Sequence, residues 1–255
     1  TRTRLEDTLI YWRHWLSTAS NGLHLIDIKY LSATKKSLLT IKAHIDKRGG
    51  IIASCDSSIY NYGRDYYSYV WPRDGAFAIW PLIRLGFTEE PKAFFEFCRD
   101  ILHKDGYLMH KYQPDKAIGS TWHPMLHGRH SELAIQEDES AIVVFMLAQY
   151  LELTHDEDFV RSIYATLIQP IANFLSEFID DETNLPHASY DLWEMKFGTS
   201  TYTTAVTYRA LLDAARIAEL FEYPDDAVRW KTAAARIAAS TAALINPETQ
   251  VLRRA

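Results

Sequence analysis

The sequence has 255 residues, 47% of them hydrophobic and 24% charged, which predicts a packed globular protein and excludes a disordered chain. A formal net charge of −6 without a long basic run argues against nucleic acid as a partner. Two cysteines are too few for a disulfide scaffold, and no apolar run approaches the roughly 20 residues of a membrane span.

Composition also bears on domains, compartment and cofactors. No linker-like change in composition occurs, so we expect residues 1–255 to form a single domain, with 1–20 as a lead-in helix. A cytoplasmic location is expected, because the chain begins without a signal peptide and Cys55 and Cys98 do not form a Cys-x-x-Cys pair. We expect no cofactor and no metal, since five neighbouring histidines lack the helical zinc spacing: His103, His110, His123, His127 and His130.

Apolar residues recur at helical spacing through most of the chain, which predicts an all-α protein. Pro170 should kink the helix predicted over residues 158–178. The predicted helices cover residues 5–16, 25–45, 74–85, 88–103, 137–153, 158–178, 201–221 and 224–244.

Three irregular stretches, 51–70, 104–135 and 180–196, separate pairs of these helices. Long loops in a compact helical domain are usually functional or disordered, and these carry Trp, Arg, Asp and Glu rather than linker residues. We therefore predict an array of helical hairpins whose long loops build one site at a common end.

The first candidate motif is residues 69–75, Tyr-Val-Trp-Pro-Arg-Asp-Gly. Pro72 would fix the start of a helix, and Asp74 is placed to cap it. The functional alternative is that Arg73 and Asp74 point into a pocket and bind hydroxyl groups.

The second motif is residues 136–141, Gln-Glu-Asp-Glu-Ser-Ala, at the start of an apolar helix. Acids are favoured at a helix start by the helix dipole, which is the structural explanation. Three consecutive acids exceed that need and repel one another, so a cationic, metal or polyhydroxyl partner is the functional explanation.

The third motif is residues 189–198, Ser-Tyr-Asp-Leu-Trp-Glu-Met-Lys-Phe-Gly. A carboxyl against tryptophan is poorly solvated, which raises its pKa and allows it to donate a proton near neutrality. A general acid for a glycosidic oxygen needs this property, and Glu194 beside Trp193 fits it. An exposed glutamate beside a core tryptophan is the structural alternative.

Together the motifs resemble the glucoamylase family of glycoside hydrolases, family fifteen, which includes glucodextranase and trehalase-like members. The resemblance is carried by Trp-x-Arg-Asp at 71–74, by Gln-x-Asp-Glu-x-Ala at 136–141, and by 191–194 followed by Gly198 and Thr203. The opening Tyr-Trp-Arg-x-Trp-Leu at 11–16 is similar to the helix that leads into the catalytic barrel of prokaryotic members.

The resemblance implies an (α/α)6 toroid of helical hairpins, of which this chain would hold about eight of twelve helices. It implies inverting hydrolysis of terminal α-glucosidic bonds in α-glucan oligosaccharides or related glucosides, by two carboxyls roughly 6.5–9.5 Å apart. Glu194 matches the general acid, and Arg73 and Asp74 match the residues that hold the terminal glucose. The further expected substrate-binding positions are Trp71, Asp138, Glu139, Asp191 and Trp193.

Two departures from the family pattern affect these expectations. Met195 stands where members commonly carry a second Glu, which bears on substrate preference and activity. The general base of the family lies downstream of the residues present here, so we expect a partial catalytic domain that is weak or inactive by itself. Two alternatives remain open: a disaccharide phosphorylase on the same barrel, and a non-catalytic carbohydrate-binding or helical-scaffold fragment.

Overall fold

The computed structural model describes residues 2–19, 22–55, 67–120, 126–127 and 129–254. Within these ranges the chain is mainly helical, and its strands are only two residues long. The α-helices are α1 (Arg2–Ser17), α2 (Ile28–His44), α3 (Pro72–Arg84), α4 (Glu89–Ile101), α5 (Glu137–Thr154), α6 (Glu157–Ser162), α7 (Gln169–Glu177), α8 (Thr201–Leu220) and α9 (Pro224–Ser240).

Shorter elements connect these helices. Two antiparallel pairs form from β1 (Leu126–His127) with β2 (His130–Ser131) and from β3 (Ser189–Tyr190) with β4 (Phe197–Gly198). Single 3-10 turns lie at Leu23–Leu25 and Thr241–Leu244, and a π-helical turn lies at Tyr164–Ile168. The all-α prediction is thus confirmed, with the small strands confined to the loops.

Two predicted helix boundaries were wrong. The helix predicted over 158–178 is divided into α6, the π-helical turn and α7, and Pro170 lies at the start of α7 instead of kinking one long helix. Helix α3 begins at Pro72, with Trp71 as its N-cap, so Asp74 lies in the first turn and does not cap the helix. Proline favours the first helical position because its fixed φ suits a helix and it has no N–H to leave unpaired.

Helix α5 lies between α3 and α8 and forms the centre of the main core. Of its 18 residues 13 are buried, four polar ones in the first turn and nine apolar ones after it. Each of these three helices is followed by a helix on the outer side, α4 after α3, α6–α7 after α5 and α9 after α8. The result is a row of helical hairpins, as the periodicity predicted.

Close packing within the first hairpin depends on a glycine. A methyl group on Gly75 would lie 2.4 Å from Cε2 of Phe94, so only hydrogen fits where α3 meets α4. Phe94 is fully buried, and truncating such a ring typically costs 3–5 kcal/mol, an order-of-magnitude figure for core aromatics. The Gly after the Arg-Asp pair is therefore a packing residue.

Helices α1 and α2 are attached through a second, smaller core. Trp15 and Leu38 pack there against Leu82 and Phe87 from the end of α3. The carboxylate of Glu90 ties the three segments together, because it accepts the indole N–H of Trp15 at 2.6 Å and pairs with Nζ of Lys42 at 2.6 Å. Helix α1 lies within the stretch 1–20 and packs against the first hairpin.

The three central helices begin at the same end of the molecule. The backbone N–H of Arg73 at the start of α3 donates to Glu139 at the start of α5, and the loop leading to α8 contacts that same turn. The positive ends of three helix dipoles therefore point toward one set of loops, which favours carboxylates there. None of the described helices is long and apolar enough to cross a membrane.

Candidate active site

Gln136 joins the three predicted motifs. Its side-chain oxygen accepts from Nη1 of Arg73 at 2.7 Å, and its side-chain nitrogen donates to the carbonyl of Asp191 at 3.1 Å. Gln136 is fully buried, so both bonds are shielded from water. The structure therefore brings the three loop-to-helix junctions together, although they lie more than 50 positions apart in the chain.

Arg73 is the cationic partner of the acids that open α5. Nη1 of Arg73 lies 2.9 Å from Oδ2 of Asp138, and Nη2 lies 3.2 Å from Oε1 of Glu139. The backbone N–H of Arg73 also donates to Oε2 of Glu139 at 2.5 Å. The partner expected from the repulsion of the consecutive acids is therefore supplied by the chain itself.

Burial and charge act against each other in this cluster. Burial disfavours the charged guanidinium, but Glu139 and Asp138 outweigh it, so the pKa of Arg73 lies above its usual value. Burial raises the pKa of Glu139 well above its ordinary range, and Arg73 opposes that rise. Desolvation offsets most of the attraction in a buried ion pair of this kind, but removing one partner leaves a buried charge and is strongly destabilising.

The other two polar residues of the same turn bind neighbouring loops. Glu137 accepts the hydroxyl of Ser189, the first residue of β3, and Ser140 accepts the backbone N–H of Leu108 at 2.8 Å. Burial raises the pKa of Glu137 to about 7, although the Ser189 hydroxyl favours the ionised form. The first turn of α5 is thus a buried support for two loops and for the start of α3.

Asp191 organises the turn that carries Glu194. Oδ1 of Asp191 accepts the backbone N–H groups of Met195 at 2.9 Å and Lys196 at 3.3 Å. The Asp191 carbonyl accepts the N–H of Glu194 at 2.7 Å, and Glu194 has a positive φ of 56°. Left-handed backbone is uncommon for glutamate, so this turn is held in shape by Asp191.

The last described segment of the chain reinforces that turn. Nη2 of Arg254 pairs with Oδ2 of Asp191 at 2.5 Å, and the backbone of 253–254 binds Thr201 at the start of α8. Burial opposes ionisation of Asp191, but two backbone N–H groups and Arg254 outweigh it and lower its pKa. Residues near 254, which lie outside the three predicted motifs, therefore support the candidate site.

Glu194 itself is partly open to solvent. Its side chain is 34% exposed, and Oε1 lies 2.8 Å from Nε2 of His110, which is 2% exposed. The indole N–H of Trp71 donates to the same nitrogen at 3.2 Å. A carboxyl that is accessible on one side and bonded to buried groups on the other can exchange a proton with a bound molecule.

The rim of the site is more exposed than its floor. The side chains of Trp193 and Met195 on either side of Glu194 are 67% and 73% exposed. The carboxyl of Asp74 is 55% exposed and 3.9 Å from Nε of Arg73. Partial burial in this recess still raises the pKa of Asp74, against the opposing effect of Arg73.

Three of the predicted substrate-binding residues lie in buried positions, and two residues that contact the site were not predicted. Asp138, Glu139 and Asp191 were expected to bind substrate, but they are at most 2% exposed and bind other parts of the chain. His110 and Arg254 were not selected, although they contact Glu194 and Asp191. His110 was noted only for its neighbouring histidines, and nothing local marks Arg254, because its contact depends on the return of the chain.

Comparison with known proteins identifies the family of this chain. Residues 29–252 match the model of the glycosyl hydrolases family 15. The chain belongs to this family. An uncharacterized glycosyl hydrolase of Methanocaldococcus jannaschii is 30% identical over 223 residues, which make up 86% of this chain and 32% of that protein. Trehalase 2 of Sulfolobus acidocaldarius is 27% identical over 230 residues, 82% of this chain and 38% of the relative.

The family 15 assignment is matched by the fold. A bacterial glucoamylase, solved in complex with acarbose, superposes with a TM-score of 0.74 at 20% identity and covers 96% of this chain. That superposition confirms the predicted class, an all-α array of hairpins belonging to an (α/α)6 toroid. The chain spans about a third of the length of these proteins.

Proposed function

We propose that the protein containing this chain hydrolyses terminal α-glucosidic bonds with inversion, and that Glu194 is its general acid. The observation that carries the proposal is the double hydrogen bond of Gln136, which links Arg73 to the turn of Glu194. A cation held by buried acids and a half-open carboxyl are thereby brought to the same group of loops. Membership of glycosyl hydrolases family 15 supports this chemistry.

The proposed reaction begins with the glycosidic oxygen near Glu194. Glu194 donates its proton to that oxygen as the bond from the anomeric carbon to oxygen breaks. Water attacks the anomeric carbon from the opposite face and gives its proton to a second carboxylate, roughly 6.5–9.5 Å from the first. No described residue is assigned to that base, so we propose that another part of the protein supplies it.

Residues at the rim and residues on the floor receive different roles. Arg73 and Asp74 would bind hydroxyls of the terminal glucose, with Trp71 and Trp193 as aromatic walls. Asp138 and Glu139 would act through Arg73, because both are buried against it. Asp191 would act through the shape of the Glu194 turn and not by touching the sugar.

Two glucoside classes are candidates for the substrate. The trehalase name of the Sulfolobus relative favours trehalose, and the glucoamylase fold match leaves α-glucan oligosaccharides as the other. Met195 bears on this choice, because a thioether replaces the carboxylate expected after the acid and cannot bind a hydroxyl of the next sugar as strongly. We place trehalose first in the test below.

The proposed location is the cytoplasm. Cys55 and Cys98 are both free thiols, which suits a reducing compartment. We propose no nucleic-acid partner, on the net charge of −6.

The decisive experiment is a substrate panel with the full-length gene product. Trehalose, maltooligosaccharides and isomaltose would be offered, and NMR would record the anomer released first. We expect β-glucose from the attacked residue; release of the α-anomer would refute inversion. Strict dependence on phosphate would favour the phosphorylase alternative.

The Glu194→Gln variant tests the assigned acid. We expect kcat to fall by roughly 10²–10⁴-fold, the typical contribution of general acid catalysis, while substrate still binds. Glu248→Gln, at an exposed position in the loop after α9, is the matched control and should keep full activity. Unchanged turnover in Glu194→Gln would remove this residue from its role.

A further inference from the structure

One nitrogen of a buried histidine contacts two groups at the candidate site. Nε2 of His110 lies 2.8 Å from Oε1 of Glu194 and accepts the indole N–H of Trp71 at 3.2 Å. The histidine is 2% exposed, so water does not readily replace either contact. The imidazole therefore connects the candidate acid with an aromatic wall of the recess.

Counting protons distinguishes two arrangements of these groups. An indole N–H can only donate and an ionised carboxylate can only accept. If Nε2 carried a proton, it could donate to Glu194 but would face the N–H of Trp71. If Nε2 carries none, its lone pair accepts from Trp71, and Glu194 must carry a proton to bond at 2.8 Å.

Only the second arrangement pairs Trp71, Nε2 and Glu194 without opposing two N–H groups, and it places the ring proton of the neutral imidazole on Nδ1. The two donors then share one lone pair in a three-centre bond, in which the shorter contact, from Glu194, is the stronger. Moving the proton from Glu194 to Nε2 would point that new N–H at the N–H of Trp71. The indole therefore disfavours proton transfer to the histidine.

We propose that His110 is a positioning residue that keeps the proton on Glu194, with the indole N–H of Trp71 holding Nε2 as an acceptor. This inference rests on the proposed function of Glu194 as the general acid. In the reaction the proton passes from Oε1 of Glu194 to the glycosidic oxygen and leaves a carboxylate. His110 stays neutral in that step and loses the bond from Glu194.

Other charged groups act on His110 and must be separated from this effect. Asp74 on α3 interacts electrostatically with it, and Lys111 follows it in the chain. Nζ of Lys111 lies 4.3 Å from the ring centre of Tyr69 and 5.3 Å from that of Trp71. Because Asp74 interacts with His110, an Asp74→Asn background belongs in the test.

The direct test uses NMR on the full-length protein. We expect a scalar coupling between the ring nitrogens of Trp71 and His110, a His110 Nε2 shift typical of an unprotonated nitrogen, and a Glu194 carboxyl carbon shift typical of the protonated acid. A protonated Nε2 beside an ionised Glu194 would overturn the proposal. This measurement requires no turnover, so its failure is distinguishable from failure of the proposed function.

Two tryptophan variants provide a matched pair. Trp71→Phe removes the indole N–H, and we expect the proton to move onto Nε2 and Glu194 to ionise. Trp80→Phe removes an indole N–H that has no hydrogen-bond partner among the described residues, and both signals should stay unchanged. The Trp71→Phe shift should persist with Asp74→Asn, and its disappearance there would assign the effect to Asp74.

Kinetics of the full-length protein give an independent result. His110→Leu should move the alkaline limb of the pH–rate profile for disaccharide to lower pH by about one unit, since a hydrogen bond to the protonated carboxyl is lost. With α-glucosyl fluoride, whose leaving group needs no proton, kcat should stay within about threefold. A shift to higher pH, or an equal loss on both substrates, would contradict the proposal.

Discussion

The acids that open α5 and the acid in the 191–196 turn have opposite environments. Glu137, Asp138 and Glu139 are at most 1% exposed and bind protein groups, whereas the Glu194 side chain is 34% exposed beside exposed apolar neighbours. Both sets lie at helix starts or loops of the same recess. The carboxyls of this candidate site therefore fall into two groups. Some are buried and hold neighbouring segments together, and one is exposed enough for a bound molecule to reach it.

The buried set should dominate stability. Arg73→Met leaves Asp138 and Glu139 buried without their cation, and we expect a loss of about 3–5 kcal/mol in the free energy of unfolding. Arg84→Met, at the exposed end of the same helix, is the matched control and should cost less than about 1 kcal/mol. Denaturant unfolding of both variants measures the difference, and similar losses would contradict the division.

The pH dependence of stability tests the burial of Glu137. Its folded pKa of about 7 exceeds the ordinary 4.5, so the folded state holds a proton that the unfolded state loses between those values. Stability from this group is therefore complete below pH 4.5 and falls as pH rises toward about 7. Above that pH the ionised Glu137 lowers the free energy of unfolding by about 3 kcal/mol, since each unit of pKa shift corresponds to about 1.4 kcal/mol.

Glu137→Gln should remove this pH dependence. We expect the variant to be more stable than the parent above pH 7 and no more stable below pH 4.5, since glutamine can still accept the Ser189 hydroxyl. Glu89→Gln, at an exposed position in the first turn of α4, is the control. Its stability should vary with pH nearly as that of the parent protein does. Thermal unfolding between pH 4 and 8 measures both, and parallel curves for Glu137→Gln would contradict the assigned burial effect.

Arg254 connects the two environments, because it is partly exposed while its partner Asp191 is buried. Arg254→Met should cost roughly 1.5 kcal/mol at neutral pH, as expected for a hydrogen bond to a charged group. The pKa of Asp191 is lowered, so this contribution exists above its unfolded value and disappears as pH falls through the folded one.

Arg253→Met is the neighbouring control, and its side chain is exposed. We expect it to change stability by less than about 0.5 kcal/mol at any pH. Stability followed from pH 7 downward, through the protonation of Asp191 in the folded protein, would compare the two arginines. A loss for Arg254→Met that is as large at low pH as at neutral pH would exclude the ion pair as its cause.

The exposed rim should have the smallest effect on stability. Trp193→Ala and Met195→Ala should each change the free energy of unfolding by less than about 0.5 kcal/mol, because both side chains are largely in solvent. Trp193→Ala should instead raise KM for the substrate. Val228→Ala, 66% exposed on α9, is the control and should change neither quantity.

Most of the fold could be predicted from sequence because helix formation is local. Apolar spacing identified the long helices, and the positions of Pro72 and Gly86 are those that favour a start and an end. The division of the segment 158–178 was missed, since a π-helical turn depends on packing around Tyr164 rather than on the residues alone. Residues 56–66, which form much of the irregular stretch predicted over 51–70, lie outside the described part of the chain.

The sequence by itself determined which residue types belong to the site: Arg73 with Asp74, the acids after Gln136, and Glu194 beside Trp193. Only the tertiary structure decided which carboxyl is buried against Arg73 and which is open to a substrate. Arg73 and Glu139 are 66 positions apart, so their ion pair exists only once α3 and α5 pack side by side. Burial and partners determine the chemistry of a carboxyl, and both arise from contacts between distant segments.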